Sequence, residues 1–293
     1  MRVYNIGSLN IDYVYAVDTI VRPGETVASA KMEQFPGGKG LNQSVALARA
    51  GASVIHAGFI GRDGTFLADI LNEAGADTTF VETADGASGH AIIQVEASGQ
   101  NSILLFPGAN YRFTPDFIEQ ALADAQPGDI LLLQNEINDP ATPIRIARQR
   151  KMQIALNPSP FNEIITALPL DQIDWFILNE IEGAGITGKN EPQEIVDALL
   201  QRYPACRVVL TLGADGALYA DREARIRQAA FPTKAVDTTA CGDTFTGFLL
   251  ASVAAGKPIA QAMHLASLAA SITASRMGAS VSIPTLDEVL QKQ

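Results

Sequence analysis

One short stretch of the chain combines the residue types that chemistry on an anion needs. It begins at Asp237 and reads Asp-Thr-Thr-Ala-Cys-Gly-Asp-Thr-Phe, with Gly242 directly before the second acid, Asp243. Apolar residues then recur at helical spacing, which predicts a helix that begins at Thr244. A helix N-terminus carries unpaired N–H groups and partial positive charge, and glycine allows close approach to the backbone. The stretch therefore predicts an anion-binding turn.

The position of Asp243 suggests a reaction rather than binding alone. A carboxylate beside a bound anion is unfavourable, because like charges repel each other. It becomes useful if Asp243 accepts a proton from a hydroxyl group that attacks a phosphorus atom held in the turn. The alternative is an ordinary acidic residue in the first turn of a helix, and this stretch alone leaves both interpretations open.

A second glycine-rich turn precedes another predicted helix. It reads Gly37-Gly38-Lys39-Gly40-Leu41-Asn42 and leads into an alanine- and leucine-rich segment that stops at Gly51. Close approach of a ligand to the backbone explains several glycines in one turn, and Lys39 and Asn42 could add a charge and an amide. No Ser or Thr follows the lysine, so this is not a phosphate-binding P-loop of the Walker A type. A simple connecting turn is the alternative.

Composition narrows the class of protein. The chain has 293 residues, 47% of them hydrophobic, which is enough for the core of a large α/β unit. A net charge of -11 argues against general binding to nucleic acids or anionic membranes. Cys206 and Cys241 have no spacing typical of disulfides or zinc sites. Without a signal-like start or a membrane-length apolar run, the sequence predicts a cytoplasmic protein.

The order of predicted elements favours a mostly parallel sheet. Runs such as Ile130–Leu133 and Val208–Leu210 are continuously apolar, as in strands that are covered on both faces, and they alternate with helices. Polar residues cluster where such strands end, and parallel strands would bring them to one edge. These residues are Asn10, Asp12, Glu136, Asn157, Asn179 and Thr211. Segments 13–34 and 90–106 instead resemble exposed hairpins and predict a small separate sheet, serving as a lid, a dimer surface or both.

Two further patterns are weak. Gly183–Gly188 matches the GxGxxG motif, but no acidic residue ends a strand about 20 residues later, as a dinucleotide fold requires. His56, His90 and His264 lack the spacing of metal ligands, so we expect them to be core or surface residues.

Taken together, these motifs resemble the ribokinase-like, or phosphofructokinase-B, family of carbohydrate kinases. The glycine turn at 37–42 is similar to the first signature of the family, and the segment 237–243 is similar to the second. The start at Gly7-Ser8, the Asn179–Glu182 segment and the Thr211–Gly213 segment also match, and the resemblance covers residues 1–293. It implies a three-layer α/β/α sandwich with a mostly parallel central sheet and a small β-sheet lid, often used to form a homodimer.

The resemblance also implies a function for each part of the site. It implies transfer of a phosphoryl group from ATP to a sugar hydroxyl, and the first candidate is D-ribose, which would give ribose 5-phosphate. Asp243 would be the base. The backbone amides of Ala240, Cys241, Gly242 and Asp243 would form the anion hole. The implied sugar ligands are Asn10, Asp12, Gly38, Lys39, Asn42, Glu136 and Asp243. The implied ATP site comprises Asn179, Thr211, Gly213, Gly216, Gly242 and Ser267. Glu182 would organise Mg²⁺ through water, and K⁺ would be held by Asp237, Thr239, Thr273, Arg276, Gly278 and Ser282.

Departures from the family pattern leave the acceptor open. Two segments next to the implied sugar site differ from the family pattern. They are Phe106–Asn110, where the chain leaves the predicted lid, and Gln134–Glu136. Fructose, deoxyribose or an adenosine-like nucleoside therefore remain alternative substrates, and a nucleoside could stack on Tyr13, Tyr15 or Phe35. A silent sugar- or nucleotide-binding protein is the alternative from another class, against which the intact Asp243 and Gly242 argue.

Overall fold

The structure is a computed structural model and describes residues 1–292. Its strands are β1 (Val3–Ile6), β2 (Asn10–Val17), β3 (Lys31–Gly37), β4 (Val54–Ile60), β5 (Asp77–Thr83), β6 (Gly89–Glu96), β7 (Asn101–Phe106), β8 (Ile130–Leu133), β9 (Gln153–Leu156), β10 (Trp175–Asn179), β11 (Arg207–Thr211), β12 (Ala217–Ala220) and β13 (Arg225–Gln228). Its helices are α1 (Lys39–Arg49), α2 (Thr65–Ala74), α3 (Pro115–Ala121), α4 (Ala141–Gln149), α5 (Glu163–Ala167), α6 (Glu180–Thr187), α7 (Pro192–Arg202), α8 (Cys241–Ala254), α9 (Ile259–Ala274) and α10 (Leu286–Gln291).

The central sheet has nine strands in the order β13-β12-β11-β10-β9-β8-β1-β4-β5. The seven strands β11, β10, β9, β8, β1, β4 and β5 run parallel to one another. Strands β12 and β13 are added antiparallel at the edge next to β11. This confirms the mostly parallel sheet expected from the continuously apolar strands. Because parallel strands point the same way, their carboxyl ends meet at one edge, where the candidate site is built.

The central sheet is covered on both faces, which makes the molecule a three-layer sandwich. Consecutive residues of β8 belong to opposite cores: Leu131 and Leu133 pack on one side, Ile130 and Leu132 on the other. Helices α3, α4 and α7 contribute to the first core, whereas α1, α8 and α9 contribute to the second. Burial on both faces is the reason why these strands lack a polar alternation.

A second, four-stranded sheet has the order β3-β2-β6-β7, and we call it the lid sheet. Hairpins β2–β3 and β6–β7 are antiparallel, and they join through a parallel pairing of β2 with β6. The predicted lid segments 13–34 and 90–106 fall within it, although its strands begin earlier, at Asn10 and Gly89, and β3 ends later, at Gly37. Every residue of β7 is exposed, so nothing within the described chain covers this edge.

The predicted start of the helix after the acidic stretch was wrong by one turn. Helix α8 begins at Cys241 rather than at Thr244, and the preceding Ala240 has a left-handed conformation with φ 61°. The first turn of α8 faces a cavity and not the core, so it carries no apolar residue that could have revealed it. Asp243 consequently lies inside the helix, in its first turn.

The structure also bears on the GxGxxG match and on membrane-spanning helices. The GxGxxG match at 183–188 lies within α6 and its left-handed C-terminal cap Gly188, so it forms no loop between a strand and a helix. None of the helices in residues 1–292 is long and apolar enough to cross a membrane.

Candidate active site

The glycine turn at 37–40 allows α1 to begin against the end of β1. Gly38 caps the helix with φ 91°, a conformation that favours glycine, and a side chain at Gly40 would collide with the backbone of Ser8. The backbone N–H of Lys39 donates to the Glu136 carboxylate at 2.9 Å, and the Ser8 hydroxyl donates to the same oxygen. The turn thus brings the ends of β1, β8 and α1 together.

The second glycine-containing turn presents Asp243 to the same edge. The Asp243 side chain is 8% exposed. Its Oδ2 accepts from the Asn42 amide at 3.1 Å, and its Oδ1 accepts from the Gln43 amide at 2.8 Å. The two signature segments, distant in sequence, therefore meet through their side chains.

The start of α8 offers free backbone donors beside this carboxylate. The Cys241 N–H donates to the Thr238 carbonyl at 3.3 Å, whereas those of Gly242 and Asp243 have no acceptor within residues 1–292. Unpaired N–H groups of a first helical turn are the usual ligands of phosphate oxygens. The N–H of Ala240 likewise has no acceptor within residues 1–292, so three members of the anion hole implied by the family, Ala240, Gly242 and Asp243, have free donors.

Charged side chains surround the junction of the two turns. Burial lowers the pKa of Lys39, but the carboxylates of Asp243, Glu136 and Glu182 outweigh this effect and raise it above its usual range. Burial also raises the pKa of Glu136, and burial together with the nearby Glu136 raises that of Asp12 to about 7. Lys39 is therefore a firmly held cation between acidic groups.

A small cavity of about 230 Å³ opens at this point. Its wall includes Lys39, Asn179, Glu182, Gly242 and Asp243. The other implied sugar ligands are not part of its wall and lie on the lid sheet, on the glycine turn and, for Glu136, in the loop after β8. Asn10 begins β2 and accepts from the Asn110 amide at 2.6 Å, and Asp12 pairs across the lid sheet with Phe35 and Ala91.

A larger cavity of about 760 Å³ adjoins the first and shares Asn179, Thr211, Thr238 and Gly242 with it. All residues of the implied ATP site line this cavity: Asn179, Thr211, Gly213, Gly216, Gly242 and Ser267. The remaining wall includes apolar residues such as Phe231, Pro232 and Phe245. A cavity that combines apolar wall residues with the N-terminus of a helix suits a nucleotide.

Glu182 occupies a defined position in the wall of the small cavity. Asn179 and Glu182 form a capping box at the start of α6, in which Glu182 accepts from the backbone and the amide of Asn179, both at 3.0 Å. The side chain is 4% exposed, and each carboxylate oxygen keeps a second lone pair. A water-linked Mg²⁺ fits this oxygen donor.

The segments implied to hold K⁺ are close together. The Asp237 carboxylate accepts from Thr239 N–H at 2.9 Å and from Gly278 N–H at 3.0 Å, which ties the loop before α8 to the loop after α9. Burial pushes the pKa of Asp237 upward, but these hydrogen bonds outweigh it and lower the pKa. Thr273 bonds through its hydroxyl to Thr244, and the Ser282 hydroxyl donates to the Ala279 carbonyl, which leaves the lone pairs of the Ser282 oxygen free.

Several residues of the site had not been anticipated in these roles. Gln43 holds Asp243, Gln134 holds Gln43, and Asn157 lines the small cavity while accepting from Gln43 at 3.1 Å. Two consecutive amide side chains, Asn42 and Gln43, follow the glycine turn at the start of a mostly apolar helix. This pair is the sequence pattern that could have identified Gln43. Phe231 and Pro232 lie between elements and had no periodic pattern to reveal them.

The remaining candidates have structural explanations. Cys241 lines the larger cavity, and burial together with Asp237 and Asp243 raises the pKa of its thiol to about 11, which keeps it protonated. His56 is fully buried and bonds to Ser44, while His90 and His264 each pack against aromatic rings. Within residues 1–292, no cluster of His, Cys, Asp and Glu has the form of a metal site.

Comparison with known proteins identifies the family of the chain. A model described as pfkB family carbohydrate kinase matches residues 2–286. The chain is 34% identical to a ribokinase of Haemophilus influenzae, with 98% of this chain and 96% of the relative covered. It resembles the solved ribokinase of Thermotoga maritima at a TM-score of 0.89 and 31% identity, covering 99% of this chain and 98% of that one. An Arabidopsis thaliana ribokinase solved with ribose and ATP gives a TM-score of 0.89 at 28% identity, covering 99% and 97%. The chain belongs to the pfkB family of carbohydrate kinases, and it is an ATP-dependent sugar kinase.

Proposed function

We propose that this kinase transfers the γ-phosphoryl group of ATP to D-ribose and forms ribose 5-phosphate. One observation carries the proposal: Asp243 lies beside the free N–H groups of α8, where the small and large cavities meet. A base for a hydroxyl and donors for a phosphoryl group are thus in one place, as in-line transfer requires. The ribokinase relatives favour ribose as the acceptor.

The residues have separate roles in the proposed reaction. The sugar hydroxyl gives its proton to Asp243, its oxygen bonds to the γ-phosphorus, and the bond from that phosphorus to the bridging oxygen of ADP breaks. The N–H groups of Gly242 and Asp243 bind the oxygens of the transferred group, and the Lys39 cation offsets their charge. Phosphoryl transfer depends mainly on positioning and charge neutralisation, so an orienting carboxylate is sufficient.

The sugar is proposed to bind between the lid sheet and the glycine turn. The polar groups proposed to surround this space can donate hydrogen bonds to several hydroxyls and accept hydrogen bonds from them. They are Asn10, Asp12, Gly38 through its backbone, Lys39, Asn42 and Glu136. Asn42 supports this placement, because its Oδ1 is buried and has no hydrogen-bond partner in the described chain.

Two cations belong to the proposal. Mg²⁺ would accompany ATP and be held through water by Glu182, where it neutralises phosphate charge. K⁺ would bind between the loops at 237–239 and 273–282, through the Asp237 side chain, the carbonyls of Thr239, Thr273, Arg276 and Gly278, and Ser282. The support is the pairing of these loops through Asp237.

We also propose a homodimer formed by two lid sheets. The edge strand β7 exposes large apolar side chains on both faces, with Ile103 55%, Leu104 66% and Phe106 50% exposed. An exposed apolar edge strand needs a covering partner, and a second copy offers a matching surface. The cytoplasmic location stays a prediction.

A panel of acceptors tests the substrate. We would measure ADP release from Mg-ATP with ribose, deoxyribose, fructose, other pentoses and nucleosides, each with K⁺ and with Na⁺. We expect the highest kcat/KM for ribose and stimulation by K⁺. A higher value for another compound would reject ribose but keep the kinase, whereas no turnover with any acceptor would reject the proposed reaction.

A further inference from the structure

We propose that Gln43 is a positioning residue of the reaction, which fixes one oxygen of Asp243 and leaves the other to accept the proton. The inference rests on the proposed function, because it concerns the base of that reaction. It goes beyond it by assigning different roles to Oδ1 and Oδ2 of one carboxylate.

The contacts of Gln43 determine the orientation of its amide. Its Nε2 donates to Asp243 Oδ1 at 2.8 Å and to Asn157 Oδ1 at 3.1 Å, while its Oε1 accepts from Gln134 Nε2 at 2.7 Å. Both N–H donors and the carbonyl are therefore in use. Turning the amide over would place an acceptor against the Asp243 carboxylate, which is unfavourable in a buried site.

The support for Gln43 continues away from the active site. Gln134 also donates to Asn5 Oδ1 at 3.0 Å, and Asn5 donates to Ser44 Oγ at 2.8 Å, which is bonded to His56 at 2.8 Å. These side chains are 0–1% exposed. Direct hydrogen bonds between buried side chains thus lead from the base through Gln43 and Gln134 into the interior of the central sheet.

A close helix crossing brings Gln43 within reach of Asp243. Gly247 lies one turn after Asp243 on α8, and an added Cβ would collide with Ala46 on α1 and approach Leu47 N to 2.8 Å. Because glycine lets the two helices approach here, consecutive side chains on α1, Asn42 and Gln43, reach the same carboxylate.

Burial separates the role of Gln43 from that of its neighbour. Gln43 is 0% exposed, so it has no direct route to a substrate and acts through Asp243 and Asn157. Asn42 lies on the proposed sugar side and contacts Oδ2 at the longer distance of 3.1 Å. Oδ2 is therefore the oxygen that receives the proton of the attacking hydroxyl, and Oδ1 keeps the carboxylate in position.

The test compares two variants of Gln43 with a control on the same helix. Gln43→Met keeps the length of the side chain but removes the donor, and Gln43→Glu keeps its shape but places a second carboxylate beside Asp243. Ser44→Ala removes a buried hydrogen bond of the same network without touching Asp243. All three are assayed for kcat, for KM of both substrates and for the dependence of kcat on pH, using the acceptor that the wild type phosphorylates best.

We expect Gln43→Met to lower kcat about 10- to 100-fold, with both KM values within about twofold of the wild type. Gln43→Glu should shift the acid limb of the kcat profile to higher pH, because adjacent carboxylates share a proton. Ser44→Ala should keep kcat within about twofold. Thermal unfolding of each variant distinguishes lost positioning from lost folding.

The outcomes are separable. A wild type without sugar-dependent ADP release overturns the proposed function and this inference with it. An active wild type together with an unchanged kcat in folded Gln43→Met overturns the positioning role alone. If Gln43→Met does not fold, an unshifted pH profile of Gln43→Glu overturns it instead. A loss of kcat in Ser44→Ala as large as that in folded Gln43→Met also overturns it.

Discussion

The two sides of the active site are built in opposite ways. On the side of the central sheet, Asn5, Gln43 and Gln134 are 0–1% exposed and hydrogen-bonded to one another. On the side of the lid sheet, strand β7 is exposed along its whole length, and its apolar side chains have no cover in the described chain. One side is buried and cross-linked by side-chain hydrogen bonds, while the other ends in an exposed strand.

This difference separates chemistry from recognition. A reacting base must be held within a fraction of an ångström, which a buried network of hydrogen bonds can achieve. A lid has to admit a substrate and close over it, and the regions that move are drawn from the least buried parts of a protein. We therefore expect changes on the core side to affect kcat, and changes in the lid sheet to affect assembly and sugar affinity.

The strongest test of the core side removes the base. Asp243→Asn should lower kcat by about 10³-fold or more, because the amide cannot accept the hydroxyl proton. Binding of ATP, measured by calorimetry, should stay within about threefold of the wild type. Turnover close to that of the wild type would show that Asp243 is only a residue of the first helical turn.

A second change places a methyl group at the junction of the two cavities. Gly242 has no positive φ, and no neighbouring atom lies within 4 Å of an added Cβ. Gly242→Ala should therefore fold with an unchanged melting temperature, yet lower kcat about 10- to 100-fold by displacing the phosphoryl group. Gly247→Ala, where the Cβ collides with α1, is the contrasting variant and should lose stability. Full activity in Gly242→Ala would place the phosphoryl group elsewhere.

A third change, in the loop that Asp237 connects to Gly278, tests whether this loop belongs to the core side of the site. Asp237→Ala removes three hydrogen bonds and the carboxylate itself. Stimulation by K⁺ over Na⁺, measured as a ratio of kcat/KM values, should fall about 5- to 10-fold. An unchanged ratio would contradict the proposed cation site. Glu119→Gln, at a surface carboxylate that is paired with Arg150, provides the control.

Charges in the lid sheet should act mainly on assembly. The double change Ile103→Glu and Leu104→Glu introduces a charge on each face of β7 and should convert the dimer into a monomer in light scattering. The KM for the sugar should rise about 3- to 10-fold, with a smaller change in kcat. Ile164→Glu, at a residue that is 51% exposed on α5, is the matched control. A wild type that is monomeric at micromolar concentration would contradict the dimer.

The smallest expected effect concerns the pH dependence of stability. The folded state raises the pKa of Asp12 from 3.8 to about 7, mainly through burial, so ionising Asp12 costs folding free energy. This cost is absent below pH 3.8, grows as the pH rises, and is complete above about 7. Asp12→Asn should thus stabilise the protein by about 1 kcal/mol at pH 8 and by less at pH 5 in urea unfolding. An equal gain at both pH values would contradict this pKa shift.

The amino-acid sequence determined the parts of this protein that depend on local pattern. Continuous apolar runs such as Ile130–Leu133 predicted the central parallel sheet, because strands buried on both faces have no polar side. Turn residues predicted the two hairpins of the lid sheet, and the glycines at 37–40 and at Gly242 indicated where the two active-site helices begin, to within one turn.

Only the tertiary structure decided which distant groups meet. The contact of Gln43 with Asp243 depends on the crossing of α1 and α8 at Gly247, and no periodicity along either helix encodes it. The parallel pairing of β2 with β6 joins two hairpins that the sequence shows separately. The first turn of α8 was missed because its residues face a cavity, and hydrophobic periodicity marks only surfaces that pack against the core.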